Sequence, residues 1–394
     1  MRRWAMDEKT ILIAGGGIAG LASALALARE SLPAKLFEQA PAFEEVGAGL
    51  QMSPNAVRAL QRLGAWEAVA PACVIPDEIH VRDGLTGAIL QRVRLGKTFE
   101  QQFGAPYRVA HRADLLGGLL ATARQSPLIA LATSSRIVSA ANRNDGVSVA
   151  LAAGTEQTGA ALIAADGIRS TIRAALIGDG DPVDRAHVIY RALIPLDKVP
   201  SSIVPDAVTL WLYPGGHVVH YPVSNWRQFN VMAAVDGTLS NTSWSEPGSV
   251  TDLKQRFSEA AEPLYELLDA PRAWLKWAAA DRNPITRWSD GAIALIGDAA
   301  HATLPYLAQG AAMSLEDACV LGSCLKAARD IPAALTNYAN LRSARTARIQ
   351  RESLKLGRLY HATGTTRQFR NAGLRLMPQS RFLGRLAWIY RWLP

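Results

Sequence analysis

Cysteine is scarce in this chain: its 394 residues hold three, Cys73, Cys319 and Cys324. Three thiols cannot staple a secreted scaffold, and they suit a reducing, cytoplasmic location. Histidine is sparse too. The seven residues are scattered, and no His/Cys cluster has ligand spacing, so no metal site is expected. Long apolar runs are missing: no stretch of about 18 apolar residues escapes a charge or a glycine, so no membrane span is expected. No Gly-x-Ser-x-Gly elbow points to a hydrolase. No internal repeat or low-complexity segment is present. Acidic residues are outnumbered, 34 against 42 basic, for a net charge of +8. Much of the excess follows Arg342, as in Arg342-Ser-Ala-Arg345-Thr-Ala-Arg348. No interleaved aromatics or nucleic-acid motif accompany it, so no nucleic-acid partner is expected. A solvated helix face, or attraction of small anions, accounts for the charge.

What is present starts at Ile11-Leu-Ile-Ala-Gly15-Gly16-Gly17-Ile-Ala-Gly20-Leu-Ala-Ser-Ala-Leu-Ala-Leu-Ala28, downstream of Met1-Arg2-Arg3. A basic start before an apolar run suits a secretion signal or a nucleotide site. Gly15-Gly16-Gly17 interrupts the run where a signal needs continuity, and Asp7 and Glu8 spoil its basic flank. The second reading fits better. Lys9–Ala14 reads as a short buried strand and Ile18–Glu30 as a helix, with Gly15-x-Gly17-x-x-Gly20 between them. The first glycine permits the tight turn, the second lets backbone approach a pyrophosphate, and the third lets helix and strand pack closely. The phosphates then meet the positive end of the helix. Ala34-Lys-Leu-Phe-Glu38 reads as the next strand, ending in an acid able to hold an adenosine ribose.

Further on, Pro41–Gly49 reads as a glycine-bearing loop. A helix follows from Ser53 to Gly64, with Ser53 as cap and Pro54 at its first position. Residues 74–110 alternate like strands, 111–125 read as a helix, and 128–165 hold strands separated by the turn Asn142-Arg-Asn-Asp-Gly146. From about 181 to 285 aromatics, prolines and strand patterns concentrate, predicting an antiparallel sheet. The earlier style returns at Ala292-Ile-Ala-Leu-Ile296-Gly297-Asp298, and long helices are expected over 310–360. The fold class is therefore α/β: a discontinuous Rossmann-like dinucleotide domain holding an inserted antiparallel-sheet domain, with helices at the C-terminal end.

Two more signatures accompany the glycine fingerprint. One is Leu162-Ile-Ala-Ala-Asp166-Gly167-Ile-Arg169-Ser170-x-x-Arg173. The other is Leu295-Ile-Gly297-Asp298-Ala-Ala-His301, followed by Pro305, Gln309-Gly310 and Glu316-Asp317-Ala318. Each is an apolar strand ending in acid and glycine before a helix. In this order they resemble the single-component FAD-dependent aromatic hydroxylases, the para-hydroxybenzoate hydroxylase-like flavoprotein monooxygenases, over nearly the whole chain. The salicylate, 3-hydroxybenzoate and 6-hydroxynicotinate hydroxylases are most similar. They share Tyr107-Arg108-x-x-His111-Arg112 and the Leu-Ala-Gln-Gly-Ala run at Leu307–Ala311.

The resemblance implies bound FAD, with NADH or NADPH and O2 as co-substrates, and hydroxylation of a small aromatic acid through a flavin C4a-hydroperoxide. It implies that Gly15, Gly17 and Gly20 surround the pyrophosphate and that Glu38 holds the ribose. Arg112 would contact FAD, Asp298 its ribityl or pyrophosphate side, and Asp166 its phosphates and the nicotinamide nucleotide. Pro305 and the Gln309-Gly310 backbone would line the isoalloxazine. Ala19, Gln39, Gly49 and Ala311 join this cofactor-binding set, and His301 would abut the phosphates. It divides the chain into FAD-binding parts 1–73, 105–180 and 286–365, substrate parts 74–104 and 181–285, and a helical tail 366–394.

A phenolate is more electron-rich than a phenol, so a base near the hydroxyl should accelerate attack on the ring. Strand alternation puts His217, Val219 and Tyr221 on one face and Val218 with His220 on the other. Similar hydroxylases use this His-x-x-x-Tyr pair, with a glutamine matching Gln309, near the substrate. His217 is thus the candidate base, and Tyr221, Gln309 and Tyr107 orient the substrate. The competing readings are a hydrogen-bonded sheet role for His217 and a catalytic role for His220.

Cys319 and Cys324 fall on a predicted helix, rotated from each other, and read as packing rather than as a redox pair. Only one GxGxxG is present, so a disulfide reductase with its own nicotinamide domain is excluded, and Trp274-Leu-Lys-Trp277 does not match a flavin halogenase element. The other readings are an epoxidase or tailoring oxygenase of a larger aromatic, which often carries an extra C-terminal domain, and a non-catalytic flavin protein. The amphipathic segment Arg381–Pro394 is expected to dock on its own domain or on a second subunit of a homodimer, in preference to lipid.

Overall fold

The computed structural model describes residues 10–43, 48–239 and 245–393. Lys9 and residues 44–47 of the glycine-bearing loop lie outside the described residues.

Three four-residue apolar strands, too short to hold a surface of their own, are buried side by side. Ile11–Ala14 pairs in parallel with Ala161–Ala164 on one side and Ala34–Phe37 on the other. The sheet runs Ser289–Asp290, Ile293–Leu295, Ala161–Ala164, Ile11–Ala14, Ala34–Phe37, Ile129–Ala132, and only the first pairing is antiparallel. Helix Ile18–Arg29 is buried along nearly its whole length. It packs between this sheet and the helix Gly310–Lys326. That accounts for its near-continuous Ala/Leu composition: a helix buried on all sides has no polar face.

The second sheet has eight strands in the order Glu246–Gly248, Trp274–Asp281, Val183–Pro195, Gln228–Asp236, Gly216–Val223, Ala207–Tyr213, Glu78–Asp83, Ile89–Arg94. Residues 74–104 thus contribute strands to the same sheet as 181–285. Two expectations need correction. The sheet is not wholly antiparallel, because Ala207–Tyr213 pairs in parallel with Glu78–Asp83, where the two distant segments meet. Residues 74–110 also contain a helix, Lys97–Phe103, whose Phe99 and Phe103 are buried on one side at helical spacing. A two-stranded ribbon, Gly49–Met52 with Arg108–His111, lies against the strand Gly216–Val223.

The helix Pro54–Leu63 begins where expected, but Ser53 does not cap it with its side chain. Its hydroxyl donates to Asn55 Oδ1 at 2.7 Å instead. The helices Gly310–Lys326 and Ile331–Tyr360 fill the expected region, followed by Gly364–Leu376 and Gln379–Tyr390.

The tail docks on its own chain. Arg58 donates to the carbonyls of Phe103 and Tyr390 and, at 2.5 Å, to that of Trp392. Arg345 donates to Trp388 O at 2.8 Å, and the Arg348 guanidinium lies 3.8 Å over the Trp388 ring. Among the described residues no helix is long and apolar enough to cross a membrane.

Candidate active site

Register brings the three signatures together. Ala14, Ala164 and Leu295 are direct partners across adjacent parallel strands, and Phe37 pairs with Ala14. The loops Gly15–Gly17, Ala165–Gly167 and Ile296–Asp298, with Glu38, therefore emerge side by side at one carboxyl edge. Such an edge is where open parallel sheets take ligands. Gly15 has φ +102°, and a Cβ there would meet Ala165 O at 2.3 Å. A Cβ at Gly20 would meet Gly15 O at 1.9 Å, so strand and helix touch backbone to backbone. Gly297 sits on the Ala19 methyl. Arg173, from the second signature, donates to Ala299 O and Ala300 O at 2.9 and 2.8 Å and ties it to the third.

Several groups at this edge fit a dinucleotide. Gly17 starts the helix Ile18–Arg29 with no side-chain cap and no acid in its first turn, so its leading N–H groups face outward for an anion. Glu38 accepts from Gly16 N at 2.6 Å and Ala40 N at 2.8 Å. These bonds aim the carboxylate and leave lone pairs for two hydroxyls. Asp166 Oδ2 accepts from Thr171 N at 3.0 Å, while Oδ1 is buried without a partner. Burial raises the Asp166 pKa, and a ligand donor would relieve the orphaned oxygen. Asp298 opens the helix Asp298–His301 and is only partly buried. Arg112 opens the helix Arg112–Arg124, and its N–H donates to Ala48 O at 2.9 Å. Pro305 begins a 3₁₀ turn, and Gly310-Ala311 open the 17-residue helix. Gln39 is exposed.

The other candidates lie where the two sheets' units meet. His217 and Tyr221 share a face and are both buried. The His217 ring packs edge-on against Tyr306 at 5.1 Å and against Tyr360 at 5.3 Å. Tyr306 belongs to the turn Pro305–Leu307 behind the third signature, so the sheet histidine touches the dinucleotide-side loop directly. Tyr221 pairs with Asn230 across the sheet, and Asn230 Oδ1 accepts from Gly49 N at 2.7 Å. A Cβ at Gly49 would lie 2.5 Å from the Tyr221 ring. Gly49 is thus required first by Tyr221. Tyr107 donates to Gln51 Oε1 at 2.6 Å, and its ring packs on Tyr390 of the tail. Burial raises the pKa of both tyrosines, so their hydroxyls stay protonated.

His217 Nδ1 bonds His361 Nε2 at 2.8 Å. Burial, with His361 and His187 nearby, holds the His217 pKa well below the usual imidazole value. The ring is neutral, and Nε2 remains to accept a proton. His220 is different. It accepts the Trp211 indole N–H at 2.9 Å, and burial lowers its pKa to about 3. Strand alternation places it on the face opposite His217 and Tyr221.

Gln309 is committed to the protein. Its amide nitrogen donates to Ser53 Oγ at 2.9 Å, and its oxygen accepts from Asn55 at 2.9 Å. Asn55 also donates to Glu316, which pairs with Arg342 and Arg345, while Asp317 binds Arg342 and His301. His301 Nε2 is thus turned into this buried network rather than toward the dinucleotide edge. Its Nδ1 is buried without a partner.

Several residues escaped sequence reasoning. His187, His361 and Asp236 bring ligand atoms within 4.8 Å of one another, although the histidines are far apart in sequence. Arg191 lies 4.3 Å over the Trp277 ring and has no acidic partner among the described residues. Burial lowers its pKa to about 10, with the Tyr221 and Arg112 side chains near enough to matter. A lone arginine in a strand pattern carries no signal. Its position became legible only once both sheets were in place.

The model of the family described as "FAD binding domain" matches residues 8–353. This chain belongs to that family. It is 39% identical over 383 residues to a 3-hydroxybenzoate 6-hydroxylase of Polaromonas naphthalenivorans, covering 97% of this chain and 96% of the relative. The solved structure of Klebsiella pneumoniae HpxO with FAD and uric acid superposes with a TM-score of 0.88 at 25% identity, covering 98% of each chain. A salicylate hydroxylase substrate complex gives 0.84 at 27% identity, covering 98% of this chain and 96% of that one. The chain has the mixed α/β fold of the flavoprotein hydroxylases. The expected cysteine packing also holds: Cys319 and Cys324 are buried and free on one helix, and burial raises the Cys319 thiol to about 12.

Proposed function

We propose that this FAD-dependent monooxygenase hydroxylates a small phenolic or hydroxypyridine carboxylic acid of the 3-hydroxybenzoate, salicylate or 6-hydroxynicotinate type. The parallel-sheet unit is read as a discontinuous Rossmann-like FAD domain, from 1–73, 105–180 and 286–365. Segments 74–104 and 181–285 form the substrate sheet inserted into it, and 366–394 is the tail. Bound FAD, with NADH or NADPH and O2, supplies the oxygen-transfer chemistry. Gly15, Gly17, Ala19, Gly20, Glu38, Asp166 and Asp298 hold it at the carboxyl edge. Arg112, Pro305, Gly310 and Ala311 complete the cradle, with Gln39 at its rim, and Gly49 is read instead as a contact of Tyr221.

The observation that carries this reading is the contact of His217 with the turn Pro305–Leu307, which joins a buried neutral base to the dinucleotide side. His217 Nε2 takes the substrate's hydroxyl proton, and the phenolate oxygen raises electron density at the ring. Tyr221, protonated, is a donor that orients the ring, and Tyr107, whose hydroxyl donates to Gln51, can accept from it. Gln309 acts by holding the Pro305–Gln309 loop through Ser53 and Asn55. Arg191 matches an acidic ring: a partly buried guanidinium without an acid partner gains most from a carboxylate. The enzyme is read as cytoplasmic.

The test is NADH and NADPH oxidation with the three acids, with product identification and FAD content. A hydroxylated product from at least one acid is expected. His217→Ala should keep FAD and lose roughly a hundredfold or more in coupled hydroxylation. Unchanged product formation in that variant would remove His217 from the chemistry. Oxidation yielding only hydrogen peroxide with every acid would reject the substrate class.

A further inference from the structure

We propose that His361 and Asp236 continue from His217 as a proton relay, carrying the substrate's hydroxyl proton from the pocket to solvent. This rests on His217 being the base.

His217 Nδ1 and His361 Nε2 are 2.8 Å apart, and His361 Nδ1 is hydrogen-bonded to Asp236 Oδ1. The side chain of His361 is 4% exposed and that of Asp236 is 57% exposed. Three groups able to hold a proton therefore run in contact from the interior to the surface. A carboxylate only accepts, so His361 carries its proton on Nδ1 and presents a lone pair at Nε2. His217 must then carry its proton on Nδ1, which leaves its Nε2 lone pair facing the substrate. Backbone bonds fix the geometry. Gly215 N donates to His361 O at 3.0 Å, and Asp236 N donates to Gly215 O at 2.9 Å. His361 ends the helix Ile331–Tyr360, whereas His217 and Asp236 lie on neighbouring strands, so the relay crosses between the two units.

The chemistry balances as a shuttle. The substrate O–H bond breaks as N–H forms at His217 Nε2. The His217 Nδ1 proton moves to His361 Nε2, the His361 Nδ1 proton moves to Asp236, and the resulting carboxylic acid releases a proton to water. The reverse sequence protonates the leaving product and restores both tautomers. The relay is needed because a proton left on His217 would create a buried cation facing His361 and His187 with no carboxylate in contact among the described residues. Burial already holds this ring far from protonation.

The groups facing the chain are His187, Tyr306, Tyr360 and Arg256. His187 Nδ1 bonds Tyr306 Oη at 2.5 Å, and its Nε2 is 3.4 Å from Asp236 Oδ1. Tyr306 and Tyr360 pack on His217. Arg256 donates to the Asp236 main-chain carbonyl at 3.0 Å, not to the carboxylate.

The test uses FAD-loaded enzyme and 3-hydroxy-4-nitrobenzoate, whose phenolate is visible in difference spectra. The readouts are the apparent pKa of the bound probe, its ionisation rate on mixing, and FAD content. Asp236→Asn and His361→Gln should slow the bound probe's ionisation roughly tenfold or more, while its apparent pKa, an equilibrium property that the route does not set, should not rise. Asp236→Glu should recover most of the rate. Asp236 is half exposed, so its variants decide the matter if the His361 variant loses FAD. Wild-type ionisation in both Asp236→Asn and His361→Gln, with its loss in His217→Ala, would overturn the relay and leave the base reading intact. A wild-type enzyme that binds the probe without ionising it would overturn the base reading, and the relay with it.

Discussion

At the scale of single residues, burial sets the charge states. His217 and His220 both have native pKa values below that of a free imidazole, His220 at about 3. The unfolded chain therefore binds protons first as pH falls. Their contribution to stability is complete above about pH 6.5 and is lost progressively below it, at up to about 1.4 kcal/mol per pH unit for each ring. Urea midpoints should fall between about pH 7.5 and pH 5, and a flat profile would mean that both rings charge in the native state. Gln309 offers a sharper distinction. Gln309→Ala leaves Asn55 and Ser53 short of partners and should cost about 1–3 kcal/mol in denaturant unfolding. Lost hydroxylation with unchanged stability would instead mean that the amide acts on the ligand.

At the scale of elements, glycines mark where backbone meets backbone or ring. Gly20→Ala would place a methyl against Gly15 O. Helix and strand must separate, and FAD content on purification should drop sharply, read from flavin absorbance. Gly49→Ala acts elsewhere, because its methyl meets Tyr221. FAD should remain bound while KM for the aromatic acid rises several-fold and more of the NAD(P)H consumed ends as hydrogen peroxide. Equal loss of FAD in both variants would place Gly49 against the cofactor. The fingerprint glycines were legible from spacing. The contact of Gly49 with Tyr221 was not, because it joins two strands about 170 residues apart.

At the scale of the whole molecule, the tail and the buried acid–arginine network join the units. Tyr390 packs among Phe99, Phe103 and Tyr107, and Arg58 binds carbonyls at the tail's end. Truncation after Met377 would expose this cluster and leave Arg58 without those acceptors. A Tm lower by several degrees is expected, with weaker coupling of NAD(P)H oxidation to hydroxylation. An unchanged Tm would mean the docking contributes nothing. Arg342→Met leaves Asp317 and Glu316 short of countercharge in the interior and should cost about 3–5 kcal/mol. Calorimetry of the FAD-loaded protein checks it.

The chain order of short strands, glycines and acids was readable without a structure, because the strand period, the turn requirement and the helix-end charge are all local. So was the docking of the tail, through its amphipathic pattern. The parallel joint inside the second sheet, the turning of Gln309 into the protein and the alignment of His217, His361 and Asp236 were decided only by tertiary packing. Each depends on which distant segments share a boundary, and on the rule that a buried polar atom must find its partner wherever the fold supplies one.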